Sequence, residues 1–402
     1  MLKNIIIVND FNYIQGGASK VAIDTAKLLQ NEKLNVYFFS AVNNKESEID
    51  GITYVTTNQK EALKEKNKLK GIVNGIYNLK AKKTLKDLLM KLDKSETIIH
   101  VHGWTKALSS SIFDIAFKLD FRVVLTLHDY FTACPNGGYF NYNSNNICKL
   151  KPLSWKCIKC NCDSRNYAFK LYRVIRQFIQ NKIVKVPQKI KYVIGISNLN
   201  IEILKKTLNP QITIKKINNP IDYEGEDIKS DSSKNKYYLY VGRVTKEKGV
   251  EEFCKAITEA GVRGIVVGEG SERTKLEERY SNIEFTGWKN KDDVKKYMKH
   301  SRGLVFPSLW YEGAPLTPLE AMSYGIPCII NEKCAAKEYI VNNNGYLYEK
   351  HEELVEDLKK LQNDEICRKI GENAYIFFHE KYNKNYIQNL LEYYKGMENE
   401  NE

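Results

Sequence analysis

No apolar run in this 402-residue chain approaches the roughly 18 to 20 residues that a membrane-spanning helix needs, so the chain is not expected to cross a bilayer. No secretory leader is expected either. The apolar stretch Ile5–Val8 is short and lacks a small-residue cleavage site, so it reads as a first strand and points to a cytoplasmic protein. Repeats of solenoid length and long low-complexity tracts are absent, which excludes a repeat architecture. The Gly-x-Gly-x-x-Gly fingerprint does not follow the first strand, which disfavours a nicotinamide or flavin enzyme. Acid is in short supply: 49 Asp and Glu against 62 Lys and Arg leave a net charge of +13. Such a balance calls for an anionic partner, either a phosphate-bearing substrate, an acidic membrane surface or a nucleic acid.

The length is more than one hydrophobic core usually serves, and the pattern divides accordingly. Short β-branched strands alternate with amphipathic helices in the first half, as at Asn4–Val8, Thr97–Val101, Val123–Leu127 and Tyr192–Ile196. This alternation predicts a doubly wound parallel sheet. Residues 218–235 turn polar and read as a linker between an N-terminal domain, 1–217, and a C-terminal domain, 236–380. The second strand series is Tyr237–Val241, Gly264–Val267, Ile283–Phe285, Gly303–Phe306 and Pro327–Ile330. In open α/β sheets ligands bind beyond the carboxyl ends of the strands. The unusual residues fall there: Gly16 and Gly17, His102, His128 and Arg243 each follow a predicted strand.

Two segments of the second half carry chemistry. Tyr240–Val250, YVGRVTKEKGV, offers Arg243 and Lys248 beside a turn, a pair able to grip a diphosphate. Alone, they read equally well as solvated surface cations. Tyr311–Gly325, YEGAPLTPLEAMSYG, holds Glu312 and Glu320 around a predicted helix start. Thr317 is expected to cap that helix, with Glu320 three residues on completing a capping box, a structural role that needs no ligand. Backbone N–H groups of Gly313, Ala314, Leu316 and Thr317 would face a phosphate or sugar at the positive end of the helix.

With these two segments joined to VGEG at 267–270 and FTGW at 285–288, residues 237–330 resemble the donor domain of retaining glycosyltransferase family four. The resemblance implies the GT-B fold, two Rossmann-like domains facing across a cleft. It implies that Arg243 and Lys248 bind the diphosphate, Glu312 contacts the transferred sugar and Glu320 holds the ribose. Gly268, Gly287 and Trp288 fall near the base and ribose, and Gly313 and Ala314 near the sugar. The donor would be a UDP- or GDP-sugar, and no metal would be required; the absence of an Asp-x-Asp triplet agrees. Retention would proceed by front-face attack, the departing phosphate oxygen taking the acceptor proton. A final helix, within 381–402, is expected to cross back to the N-terminal domain.

In the first half, QGGASKV at 15–21 lets the backbone approach a ligand at Gly16 and Gly17. The resemblance puts both glycines near the diphosphate or acceptor. His128, in LTLHDY, ends a buried strand, and the family carries an active-site histidine there; it is assigned to orienting the donor sugar and the attacking hydroxyl. His100 and His102 are read as facing opposite sides of their strand, leaving only His102 for the acceptor site.

Cys134, Cys148, Cys157, Cys160 and Cys162 crowd one long loop, 131–165, which demands a brace. A structural zinc, a disulfide and loose reduced thiols all remain open. The loop resembles an insertion of a bacterial subgroup that builds surface polysaccharides. Lysines are dense over 60–94, and 170–191 reads as an amphipathic basic helix with no acid. Its basic face is either simply solvated or set against an anionic membrane carrying a lipid-linked acceptor. The alternatives are a GT-B epimerase or phosphorylase, and a non-catalytic nucleic-acid binder. No nucleic-acid-binding motif supports the latter.

Overall fold

The computed structural model describes residues 2–221, 229–382 and 385–399, so the linker expected over 218–235 lies partly outside the described residues. The chain divides into two compact units. One comprises Met1–Tyr139, Lys149–Pro220 and Asn385–Glu402, the other Phe140–Cys148 and Ile221–Lys384.

The strands in chain order are β1 (Asn4–Phe11), β2 (Asn35–Val42), β3 (Thr53–Thr56), β4 (Thr97–Val101), β5 (Arg122–Thr126), β6 (Phe140–Asn141), β7 (Asn146–Ile147), β8 (Tyr192–Gly195) and β9 (Thr213–Lys216). They continue as β10 (Tyr237–Val241), β11 (Arg263–Val267), β12 (Ile283–Gly287), β13 (Gly303–Phe306), β14 (Cys328–Asn331) and β15 (Gly345–Tyr348). Apart from the β6–β7 hairpin they form two parallel sheets, ordered β3-β2-β1-β4-β5-β8-β9 and β12-β11-β10-β13-β14-β15. Both are the doubly wound orders expected of strand–helix alternation. In each the order reverses beside the first strand, between β1 and β4 in one sheet and between β10 and β13 in the other. A crevice opens at such a reversal because the two connections leave toward opposite faces.

The strands are buried on both faces, which is why they read as nearly continuous apolar runs. Ile5, Ile6, Ile7 and Val8 are fully buried, as are Leu239 and Tyr238. Fully burying each aliphatic side chain of this kind contributes about 1.5–3 kcal/mol.

The last helix, Tyr386–Asn399, belongs to the first unit, where Leu390, Tyr394 and Met397 join the core of β1, β4 and β5. Its tyrosines also find polar partners there. The Tyr386 hydroxyl lies 2.7 Å from Thr25 Oγ1, and the Tyr393 hydroxyl donates to the Val193 carbonyl at 3.1 Å.

The cysteine-rich loop is braced without a metal ion. Among the described residues no three His, Cys, Asp or Glu side chains come together as a metal site requires, and none of the nine cysteines is in a disulfide. The zinc reading of Cys134, Cys148, Cys157, Cys160 and Cys162 is therefore corrected, and the reason is local. The fully buried Lys170 ammonium donates to Cys162 Sγ at 3.3 Å and Cys157 Sγ at 3.5 Å, so a cation already stands among these thiols. Cys134 Sγ donates instead to Asn136.

Helix Tyr167–Phe178 supplies the rest of the brace. Arg176 donates to the Thr105 and Pro135 carbonyls, Gln177 to Thr132, and Arg173 to Asn136 while pairing with buried Asp163 at 3.1 Å. Buried loop carbonyls must have donors, and this helix provides them. The expected solvated basic face is thus corrected in part: Lys170 and Arg176 point inward.

Candidate active site

In the second unit, three loops at the carboxyl ends of adjacent strands are knitted by backbone hydrogen bonds. Gly242 N–H donates to Val267, Val244 to Glu269 and Gly268 to Gly287, all within 2.8–3.0 Å. Glycine is required at Gly268, whose φ is +147° and whose Cβ would collide with the Gly242 carbonyl. Gly287, at φ +74°, lies against Glu269 and Arg273 in the same way, and Trp288 beyond it is exposed.

Across the strand reversal, the loop after β10 meets the loop after β13. Lys248 Nζ donates to Glu312 Oε1 at 2.5 Å, and the same oxygen accepts from Ser308 Oγ and Trp310 Nε1, each at 2.7 Å. Burial alone would keep the Glu312 carboxyl protonated. The Lys248 ammonium and the two further donors outweigh it and hold the group ionised, below the usual carboxylate range. The Lys248 ammonium also stands 5.4 Å over the Trp310 ring. Arg243 remains mostly exposed, its nearest acid Glu247 at 3.4 Å. This arrangement is a fixed anion ringed by donors, with a second cation at its edge.

The helix after Glu312 runs Leu316–Ser323 with Pro315 as its N-cap, and no side chain caps it. Thr317 therefore lies inside the first turn. The capping box expected of Thr317 and Glu320 does not form, because proline at the cap sets the helix two residues earlier than a threonine cap would. Gly313 and Ala314 occupy the half-buried approach to this helix.

In the first unit, β1 is followed by Gly16 at φ +152°, and Cβ atoms added at Gly16 or Gly17 would meet nothing. The helix Gly17–Gln30 starts there with no acid in its first turn. Beside it, His102 Nδ1 and His128 Nε2 lie 2.9 Å apart, and the two rings stack at 5.1 Å. His102 Nε2 is buried without a hydrogen-bond partner among the described residues.

His100 joins this stack rather than facing away: its ring lies 4.2 Å from that of His102. The expectation of opposite faces is corrected, since residues two apart on a strand share a face. His100 is fixed by the Tyr394 hydroxyl at 2.6 Å and Thr126 Oγ1 at 2.7 Å. Burial lowers all three imidazoles, His100 and His128 to about 3, so the stack is uncharged at neutral pH. Asp129, the next residue, is pushed up to about 6 by burial.

Sequence reading missed several of these residues. Ser308 and Trp310 stand within four positions of Glu312, yet nothing in their type announces a carboxylate partner. Asp10 accepts from the backbone N–H groups of Lys106, Ala107 and Leu108 at 2.8–2.9 Å, fixing the turn that follows His102. An acid at the end of an apolar strand was the available signal. Tyr394 had none, being 294 positions from His100.

Known proteins resemble this chain in part of its sequence and in its fold. Residues 224–377 match the family model of glycosyl transferases group 1. A UDP-Gal:alpha-D-GlcNAc-diphosphoundecaprenol alpha-1,3-galactosyltransferase of Escherichia coli is 30% identical over 123 residues, covering 27% of this chain and 30% of the relative. The capsular polysaccharide biosynthesis glycosyltransferase CapM of Staphylococcus aureus is 26% identical over 251 residues, 56% of this chain and 64% of its own. The chain spans between 29% and 42% of the length of the first curated relatives that it matches. In fold, it is similar to sucrose-phosphate synthase from Thermosynechococcus elongatus, with a TM-score of 0.73 at 14% identity over 98% of this chain and 99% of the other. Through residues 224–377 the chain is similar to the group 1 glycosyl transferases, and its two doubly wound sheets have the GT-B fold.

Proposed function

We propose that this protein is a retaining, metal-independent glycosyltransferase that moves a sugar from a nucleoside diphosphate sugar to a surface-polysaccharide precursor. The observation that carries the reading is the Lys248–Glu312 pair at the strand reversal of the unit that matches the family. Arg243 and Lys248 bind the donor diphosphate, with the N–H groups of Leu316 and Thr317 at the helix start adding to the positive field. These groups neutralise charge on the departing nucleotide, the role a metal ion would otherwise fill. Glu320 holds the ribose, while Gly268, Gly287 and the exposed Trp288 receive the base. Gly313 and Ala314 let the sugar approach Glu312.

Glu312 orients the sugar hydroxyls rather than attacking the anomeric carbon. Its Oε1 already accepts three hydrogen bonds, which lowers its nucleophilicity. His128 positions the donor sugar and the attacking hydroxyl; a neutral imidazole can donate to one and accept from the other. His102 sets the orientation of His128 and lines the acceptor side with Gly16 and Gly17. The acceptor proton passes to the departing phosphate oxygen as the new bond forms on the same face, which retains configuration.

The relatives named above support a UDP-sugar donor and a lipid-diphosphate acceptor, and hence work at the cytoplasmic face of the membrane. Among the described residues no helix is long and apolar enough to cross a membrane.

Calorimetric titration of UDP, GDP, ADP and CMP tests the donor site. One nucleoside diphosphate is expected to bind, with affinity lost in Arg243→Ala, whose side chain is mostly exposed, and in the Arg243→Ala, Lys248→Ala double variant. Failure of all four to bind at millimolar concentration would overturn the reading. Salt-sensitive retention of oligonucleotides in that case would favour the nucleic-acid alternative.

A further inference from the structure

Helix Tyr167–Phe178 is inside out by the usual measure. Its polar side chains Lys170, Arg176 and Gln177 are 0%, 7% and 1% exposed, because the loop carbonyls and thiols beneath them need donors. Its apolar side chains consequently face away: Leu171, Ile175 and Phe178, spaced four and three apart, are 39%, 51% and 50% exposed. Such spacing forms one continuous stripe on a helix.

A second helix extends that stripe. Lys68–Ile76 lies directly against the first, since a side chain at Gly75 would run into the Tyr172 hydroxyl. It exposes Leu69, Ile72 and Val73, at 76%, 45% and 59%. Contiguous exposed apolar side chains on adjacent helices need a cover.

Charge selects among covers. Lys66, Lys68, Lys70, Lys182 and Lys185 are all exposed in these same segments, and neither 66–86 nor 164–191 contains a single Asp or Glu. A second copy of the chain, laid face to face, would set lysine against lysine with no acid to offset it. A bilayer surface with anionic headgroups offers apolar depth for the leucines and phosphate for the lysines.

We propose that helices Lys68–Ile76 and Tyr167–Phe178 form one membrane-docking face, inserting Leu69, Val73, Leu171, Ile175 and Phe178 into an anionic lipid surface. Docking therefore works through the outward apolar stripe of the second helix rather than through its own cations, most of which serve the loop. This inference rests on the preceding reading only for placing the protein at a membrane, and needs nothing from its donor chemistry.

Co-sedimentation of the full chain with vesicles of phosphatidylcholine, with and without phosphatidylglycerol, tests it. Wild type is expected to bind only the anionic vesicles. Leu171→Ser with Ile175→Ser, and separately Leu69→Ser with Val73→Ser, are expected to weaken partitioning about tenfold or more. Thermal midpoints near that of wild type would show that these exposed substitutions leave the fold intact. Binding that is absent, or equal in wild type and both variants, overturns the proposal. So does a wild-type dimer in light scattering that the same substitutions dissociate, since a second copy would then be the cover. Titration of UDP on the same preparations separates the two readings, because a protein that binds UDP and ignores vesicles loses only this one.

Discussion

The two units solve one problem with opposite electrostatics. Each has a parallel sheet whose order reverses beside its first strand, and each gathers polar side chains there. The second unit fills the reversal with full charges, Lys248 against Glu312, kept ionised by three donors on one oxygen. The first fills it with three stacked imidazoles that burial keeps neutral. Equal topology thus permits a charged cluster in one unit and an uncharged one in the other.

Removing a charge should break this contrast most sharply. Lys248→Ala leaves Glu312 as a buried carboxylate without its cation, a change that typically costs about 3–5 kcal/mol. The thermal midpoint of the second unit should fall and nucleoside diphosphate binding should vanish. Adding Glu312→Gln should recover much of the stability but none of the transfer activity. A variant that melts like wild type would mean that the pair is not the charged centre described.

Acid should separate the units next. Imidazoles held at about 3 in the fold but near their ordinary value when unfolded bind fewer protons in the native state. Their contribution is complete above about pH 6.5 and is lost as pH falls toward 3, on the order of 1.4 kcal/mol per unit per histidine. His351 of the second unit runs the other way: against partial burial, Glu252 and Glu259 raise its pKa, so its contribution is present in acid and is lost as pH rises through the raised value. Urea unfolding followed between pH 4 and pH 8, with His128→Gln and His351→Gln alongside, would reveal slopes of opposite sign. Equal slopes would remove the electrostatic distinction.

Smaller effects sharpen the comparison. Tyr394→Phe removes the hydrogen bond to His100 and should cost about 1 kcal/mol in thermal stability. Ser197 caps the helix Asn198–Lys205 by accepting from the Asn200 N–H at 3.1 Å, so Ser197→Ala should cost about 1 kcal/mol. Thr317→Ala should change stability by less than about 0.5 kcal/mol, because that helix has no side-chain cap. A large loss at Thr317 would restore the capping box.

Much of this was legible because both sheets are buried on both faces. Strands such as Thr97–Val101 and Tyr237–Val241 announce themselves as apolar runs, and motif residues at their ends follow from topology. β2, NVYFFSAV, is less legible because its core is aromatic and small rather than β-branched. What letters could not supply were contacts across the chain. The capping box was a sound local pattern overruled by a proline cap, and the basic helix hid an inversion imposed by carbonyls 41 to 71 positions upstream. Trp310, Asp10 and Tyr394 act through partners that only the fold brings near.

The helix Tyr386–Asn399 has a consequence for synthesis. Because it completes the first unit after the whole second unit has been made, the ribosome releases the seven strands of the first sheet with a groove still open along their core. Until Tyr394 emerges, His100 lacks its hydroxyl partner and the imidazole stack is unfinished. The second unit can fold as it leaves the exit tunnel, whereas the first must wait for a helix made after all of the second.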